Sequence, residues 1–437
     1  MNDITLTNVV ENSINKFNKE YIQAINDKSF LIIFNDMLDH KRDHILSQRG
    51  TEILKKYCLS HNHRGECIET PQLMFLRASI ALHFPFISEI KRLYDNLSHG
   101  RIMIDLFFLR NAGIVTTILP KCDPNVNCTQ IDDFFMEKVS IPRDYDRETQ
   151  SMREYWRKVL RKSENIIMFN GALCEKSNQS IPLYPPTDFT CGIGVINLNS
   201  CLSSSHTFDF FELQKLTVFL TNTLTKLLKK YSFYLMNSPT NSVNNVYITV
   251  CGLADILTKM GISYGSDEAM KLDKNIFAII YYFFILTNCG GPYGYDINLF
   301  SFELEEKYWL SRVEIKDWEK LKKSPIVQCD NFDYNWEELR HKIIKNGVKS
   351  MGGTCVVPLE KIAEILNASV GVEPQKKCIN RRTLVDMCVN RGPFISLFQH
   401  IFTYAKSPLT YEKLSAINFY CWKSGLKSGT FKIKYLF

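Results

Sequence analysis

Apolar residues recur at helical spacing through much of the first hundred positions. Ile4, Val9, Val10, Ile14 and Phe17 keep that spacing, and so do Phe34, Met37, Leu38 and Ile45. Residues 1–100 are therefore expected to be mostly helical. The clearest amphipathic stretch runs from Asp209 to Tyr231. Its Phe210, Phe211, Leu213, Leu216, Phe219, Leu220, Leu224, Leu227 and Leu228 share one broad face. Lys229-Lys230 suit the negative end of that helix's dipole. A second long helix is expected from Asp267 to Asn288, stopped by Gly290-Gly291-Pro292. Within it Ile276 to Thr287 is the longest apolar run, too short for a bilayer and suited to a buried helix. Further helices are expected from Leu359 to Asn367 and from Thr410 to Lys423.

Short β-branched or aromatic runs lie between the helices: Asn165–Phe169, Val246–Val250 and Cys355–Val357. Each is followed by a loop or helix, so the alternation predicts an α/β fold. Residues 121–155 are polar and rich in Asp, Asn and Pro, the pattern of an exposed insertion or linker. The chain carries no internal repeat and no low-complexity tract.

Composition narrows the class. With 45% hydrophobic and 23% charged residues, disorder over most of the 437 positions is excluded. Lys+Arg 53 against Asp+Glu 46 leaves a net charge of +7 spread along the chain, without the dense basic stripe of a dedicated nucleic-acid binder. The start, MNDITLTNVV, has neither a basic nor an apolar leader segment, so no signal peptide is expected. The 14 cysteines are scattered with no C-x-x-C pair, which points to free thiols in a reducing, cytoplasmic or nuclear setting.

Few local motifs carry chemistry. Cys58, His61, His63 and Cys67 are four metal-capable side chains within ten positions. Their spacing is unlike the usual zinc finger, and a polar loop in which two cysteines happen to lie near two histidines is the plainer reading. Cys122 and Cys128 flank turn residues. Gly192 and Gly194 make only a G-x-G, too little for a dinucleotide fingerprint. No nucleophile elbow, phosphate-binding P-loop or H-E-x-x-H occurs.

Several stretches taken together resemble the large, catalytic subunit of class I ribonucleotide reductase. They are Ile68 to His83 with Ile90–Tyr94 and Leu97-Ser98, then Asp105–Phe108, then Cys174 to Gln179, then Asn197-Leu198 with His206–Phe210. The most specific joins Cys251-Gly252-Leu253-Ala254-Asp255 to Met260-Gly261, Asn275–Phe277, Tyr281-Tyr282 and Gly291-Pro292-Tyr293. Others run from Trp336 to Val372-Glu373-Pro374 with Arg381-Arg382, and from Arg391-Gly392 through Asn418–Gly429. The pieces keep the family's order from about residue 45 onward. The resemblance implies the family's ten-stranded α/β barrel, shortened and incomplete. It sits behind a helical N-terminal region, with residues 1–100 as one domain and 101–437 as the other. Two family segments look absent, one between Gly100 and Asp105 and one between Arg382 and Leu384; the nucleotide-binding N-terminal cone is not recognisable.

The same resemblance implies that the chemistry is lost. The family's radical cysteine lies in N-x-C-x-E. The corresponding stretch here makes Cys191 a vestigial candidate, with Phe189 and Ile193 in place of the amide and the acid. One reducing cysteine is replaced by Ile196 and the other belongs to a missing segment, as do the effector loops. The P-T-A-S-T phosphate turn becomes Pro358-Leu359-Glu360-Lys361-Ile362, where Glu360 would repel phosphate. The radical-relay tyrosines become Phe431 and Lys432, and the chain ends at Phe437 without the family's cysteine tail. The expectation is a catalytically inactive binding or scaffold protein with no cofactor and no bound metal. Its partner would be a protein: a second copy of the chain or a reductase subunit, with no membrane and no specific nucleic acid. The alternative is a subunit of an active ribonucleoside-diphosphate reductase. The Asn-, Ile- and Lys-rich usage suits a large DNA virus, for which a virion would be a further setting.

Overall fold

The computed structural model describes residues 5–114, 127–141, 146–161, 165–170, 191–232, 245–290, 334–357, 359–374, 379–396 and 399–435. Its first part is helical: α1 (Leu6–Asn12), α2 (Lys19–Asn26), α3 (Lys28–Met37), a 3-10 turn (His40–Ile45), α4 (Gln48–Tyr57), α5 (Pro71–His83) and α6 (Ile87–Ser98). Capping side chains subdivide what the apolar spacing suggested was more continuous helix. Thr5, Asn18, Asp27, Ser47 and Thr70 each accept a hydrogen bond from the first turn of the helix that follows. Helix α1 therefore ends before Ile14, which is exposed, and Phe17, which is buried beyond it and bridges Ile114. Helix α5 is buried almost all round, so its periodicity is weak while its burial is complete.

The remaining elements alternate. They are β1 (Ile102–Ile104), α7 (Leu106–Asn111), β2 (Asn127–Asp132), α8 (Asp133–Ser140), α9 (Arg147–Arg161), β3 (Asn165–Asn170), β4 (Cys191–Asn197), α10 (Phe210–Ser232) and β5 (Asn245–Cys251). After these come α11 (Leu253–Lys259), α12 (Asp267–Asn288), α13 (Trp336–Asn346), β6 (Met351–Thr354), α14 (Glu360–Ile365), α15 (Arg381–Arg391), β7 (Ile401–Ala405), α16 (Tyr411–Lys423) and β8 (Thr430–Tyr435). Helices α10, α12 and α16 fall where their apolar faces predict them.

Backbone pairing joins the strands into one curved sequence. Strands β4, β5 and β6 are parallel neighbours, and β1 lies antiparallel on the outer side of β4. Beyond β6 a parallel bridge between Val356 and Gln399, with the bond His400 N to Val356 O at 2.8 Å, leads to the parallel pair β7–β8. At the approach to β8, Phe169 N donates to Lys427 O and Gly429 N to Ile167 O, both at 2.9 Å. These reciprocal bonds are those of an antiparallel pair. They attach β3, which pairs in parallel with β2. Five parallel strands thus form one half, flanked on both sides by antiparallel seams to β1 and to β3–β2. Between β1 and β2 no pairing is seen among the described residues. This is an incomplete α/β barrel behind helices, as the resemblance implies.

The two larger apolar cores among the described residues support it. One joins the N-terminal helices to β1, β4, β5 and α10–α12. The other joins β2, β3, α8, α9, α15, α16 and β7. Gly192 and Gly194 let α10 lie close on β4, since a Cβ at Gly194 would meet the Leu220 side chain at 2.8 Å.

Two expectations need correction. Residues 127–141 and 146–155, within the stretch 121–155 expected to be an insertion or linker, belong to a packed strand and two helices, the second of which runs on to Arg161. Helix α9 is polar on average, yet its Met152, Trp156, Val159 and Leu160 share one face, and Trp156 is fully buried. The strand expected at Cys355–Val357 lies one step earlier, at Met351–Thr354. Its Gly352-Gly353 pair reads as a turn in sequence, but a Cβ at Gly352 would overlap the Val246 carbonyl of β5, so close approach demands glycine.

The α9 correction makes a prediction. Trp156 donates Nε1–H to Ser415 Oγ at 2.8 Å and packs on Phe135 and Phe419. Trp156→Ala should cost about 3–5 kcal/mol in urea unfolding, whereas a loss of under about 0.5 kcal/mol, usual for a surface change, would contradict the packing of α9 on the second core.

Candidate functional site

The carboxyl ends of β4 and β5 hold a dense polar network beside the sheet. Asn197 closes β4 and is buried. Its Nδ2 donates to Gly100 O at 3.0 Å and to Leu366 O at 3.3 Å. Its Oδ1 accepts from Asn199 N and Nδ2, both at 3.2 Å. Every donor and lone pair of this amide is engaged. Asn199 Nδ2 also donates to Asp255 Oδ2 at 3.1 Å, and Lys259 Nζ donates to Asn199 Oδ1 at 2.6 Å. Asp255 Oδ2 accepts a second bond from Ser369 N at 2.7 Å. Gly252 sits between β5 and α11 with φ +84°, where a Cβ would press on Asn199 Nδ2 at 2.7 Å, and its N–H donates to Ser369 O at 2.9 Å. Asn197-Leu198 and Cys251–Asp255, separate stretches of the resemblance, therefore meet in one knot. The knot fastens the end of the N-terminal helices, two barrel strands and the segment after α14. Its bonds run among these side chains and to backbone, which suits fastening.

The residues singled out from sequence are placed elsewhere. Cys191 opens β4, with its backbone opposite Asn245; its side chain lies outside the described residues. So do Cys174–Gln179, Gly291–Tyr293, Pro358 and the side chains of Phe431 and Lys432, whose backbones belong to β8. Cys58 caps α4 and points its thiol at Leu106 O, 3.8 Å away, and burial pushes that thiol up to about 12. Cys67 instead donates to Glu69 O at 3.4 Å and pairs its backbone with His61. The loop holding His61 and His63 is tied by Asn62, which accepts from the N–H groups of Arg64 and Glu66. Among the described residues no group of three or more His, Cys, Asp or Glu is placed to hold a metal ion.

The turn that the resemblance sets against the family's phosphate site leads into α14. Glu360, in the first turn of that helix, accepts from Lys434 Nζ of β8 at 2.7 Å. Lys361 Nζ lies 3.9 Å from the centroid of the Tyr57 ring. Both charges at this turn are turned toward the protein's own groups.

Two buried ion pairs escaped the sequence reading. Arg77 holds Glu69 through two bonds of 2.6 and 3.0 Å, and Ser60 N donates to the same carboxylate. Arg391 of α15 pairs with Asp273 of α12 at 2.8 Å and donates to Gln399 Oε1 at 2.7 Å. Glu373, also buried, has its pKa raised to about 7 by burial, against the opposing pull of Arg391. The available signal was an isolated acid, Asp273, on the apolar face of a long helix, where charge is retained only with a partner.

With this geometry in view, the comparisons with known proteins are direct. Residues 161–384, just over half of the chain, match the model of the ribonucleotide reductase barrel domain, and the chain belongs to that family. It is similar to the ribonucleoside-diphosphate reductase large subunit of Caenorhabditis elegans, 22% identical over 403 residues that cover 70% of this chain and 49% of the relative. The corresponding subunit of Trypanosoma brucei brucei is 21% identical, covering 78% and 51%. That of Acanthamoeba polyphaga mimivirus is 22% identical, covering 79% and 48%. The chain thus spans about half the length of these relatives.

Glu373 makes the site's pH prediction. Its folded pKa of about 7 lies above its ordinary value of 4.5, so its contribution to stability is full below 4.5 and is lost as pH rises through 7. Glu373→Gln keeps the neutral shape. Urea unfolding across this window should show the variant losing less stability than the native chain as pH rises, and being the more stable of the two above 7. Parallel pH profiles would refute the assignment.

Proposed function

We propose that this chain is a catalytically silent form of the reductase large subunit, kept as a folded binding or scaffold protein for a protein partner. The observation that carries the reading is the division of labour among the family stretches. Asn197, Gly252 and Asp255 are engaged in fastening the barrel. At the phosphate turn, by contrast, the residues are Leu359, Glu360 and Lys361, with Glu360 paired to Lys434. An anionic side chain at that turn opposes a diphosphate, and the resemblance leaves Cys191 without its flanking acid and amide. In this proposal residues 1–100 form a helical domain and 101–437 the shortened barrel domain, joined through a shared apolar core. The relatives are named as large subunits, so the partner is either a reductase subunit or a second copy of the chain.

The test is a turnover assay of the full chain with a ribonucleoside diphosphate, dithiothreitol and a cognate small subunit, run beside Cys191→Ser. Deoxyribonucleotide at background level in both is expected. Product from the native chain that disappears in a folded Cys191→Ser protein would overturn the proposal and establish the alternative, a working reductase subunit.

A further inference from the structure

A cavity of about 440 Å³ opens between α6 and α10, and none of the knot's side chains lines it. Its size falls in the range of small-molecule sites, roughly 300–1,000 Å³. One wall is a face of α6 at helical spacing: Ser88, Lys91, Arg92, Asp95 and Asn96. The other is a face of α10: Glu212, Lys215, Leu216 and Phe219. Arg101 closes the end where α6 turns into β1.

The charges are unequal, four cations against two carboxylates, and both carboxylates are already engaged. Asp95 accepts from Arg42 Nη1 at 2.7 Å, and Arg42 is not a wall of the cavity. Glu212 is shared between Arg101 and Lys215, each 3.6 Å away, so one negative charge faces two positive ones. Lys91 has no carboxylate partner among the described residues. The Arg92 guanidinium carbon lies 4.5 Å from the Phe219 ring centroid, a cation–π contact that favours this placement of its donors before any ligand arrives. The walls thus combine preset cationic donors with an apolar patch of Leu216 and Phe219.

We propose that this cavity binds a small organic phosphate. Its multiply charged phosphate end would be held by Lys91, Arg101 and Lys215, and its organic part would lie against Leu216 and Phe219 beside Arg92. Phosphate fits better than a single carboxylate because several converging cations need more than one negative charge and more than two acceptor oxygens. No step of the reductase chemistry enters this assignment, so it stands or falls apart from the proposed loss of activity.

Titration calorimetry of the full chain with inorganic pyrophosphate tests it. One saturable site is expected. The paired substitution Lys91→Ala/Lys215→Ala, both exposed, should weaken binding by about tenfold or more. Lys406→Ala/Lys413→Ala, which removes the same net charge from residues that do not line the cavity, should leave it unchanged. Glu212→Gln should tighten it. Melting curves establish that each variant is folded. Absence of saturable binding, or equal weakening by the two lysine pairs, would overturn the proposal.

Discussion

One buried amide sets the terms for the rest of this structure. Asn197 spends both of its donors on the backbone carbonyls of Gly100 and Leu366 and both lone pairs on Asn199. A buried polar group that lost those partners would cost about 1–3 kcal/mol for each unsatisfied atom. The segments it joins therefore move together or not at all. Asp255 repeats the arrangement from β5, taking the Ser369 N–H and the Asn199 amide on one oxygen. Parallel strands cannot be joined by tight turns, so their ends need such ties across long crossovers.

The barrel half built on this tie has the regular features of a buried parallel sheet. Strand β5 is buried on both faces and flanked by β4 and β6, and glycines on both neighbours admit close packing. The opposite half is carried by a separate apolar core, in which Trp156, Met136 and Phe169 take the part that Leu220, Ile248 and Phe277 take in the first. Of the two antiparallel seams, β1–β4 lies within the first core, and β3 with residues 427–429 ties the second core's strands to the approach to β8. A family member needs these contacts whatever its activity, because each serves the core. That is a physical reason for family stretches to persist at 21–22% identity.

Much of the fold was legible in the residues. Helices α10 and α12 announce themselves by broad apolar faces, and β5 by an unbroken β-branched run. What was hidden had a physical cause in each case. Strand β6 was masked by Gly352-Gly353, whose value lies in missing side chains. Helix α9 was masked by its charge, since only four of its residues meet the second core. Of the site, the knot residues were visible as family stretches, but their convergence was not, because hydrogen bonds between residues 56 to 169 positions apart leave no local pattern. Asp273, Glu373 and Arg391 were likewise invisible as a group, although each lay inside or beside a stretch already noted. Cys58, His61, His63 and Cys67 showed the opposite failing: adjacency in sequence without convergence of their side chains.

The central claim is that the shared stretches lock the barrel together. Hydrogen exchange of the intact chain tests it most directly, read at the amides of Gly252 and Ser369, which donate across the knot. If the knot is the lock, these amides exchange only when the whole domain unfolds, at the same free energy as the amides of β5. Exchange through local opening, well ahead of β5, would contradict the account, because the shared stretches would then be free of the structural task assigned to them.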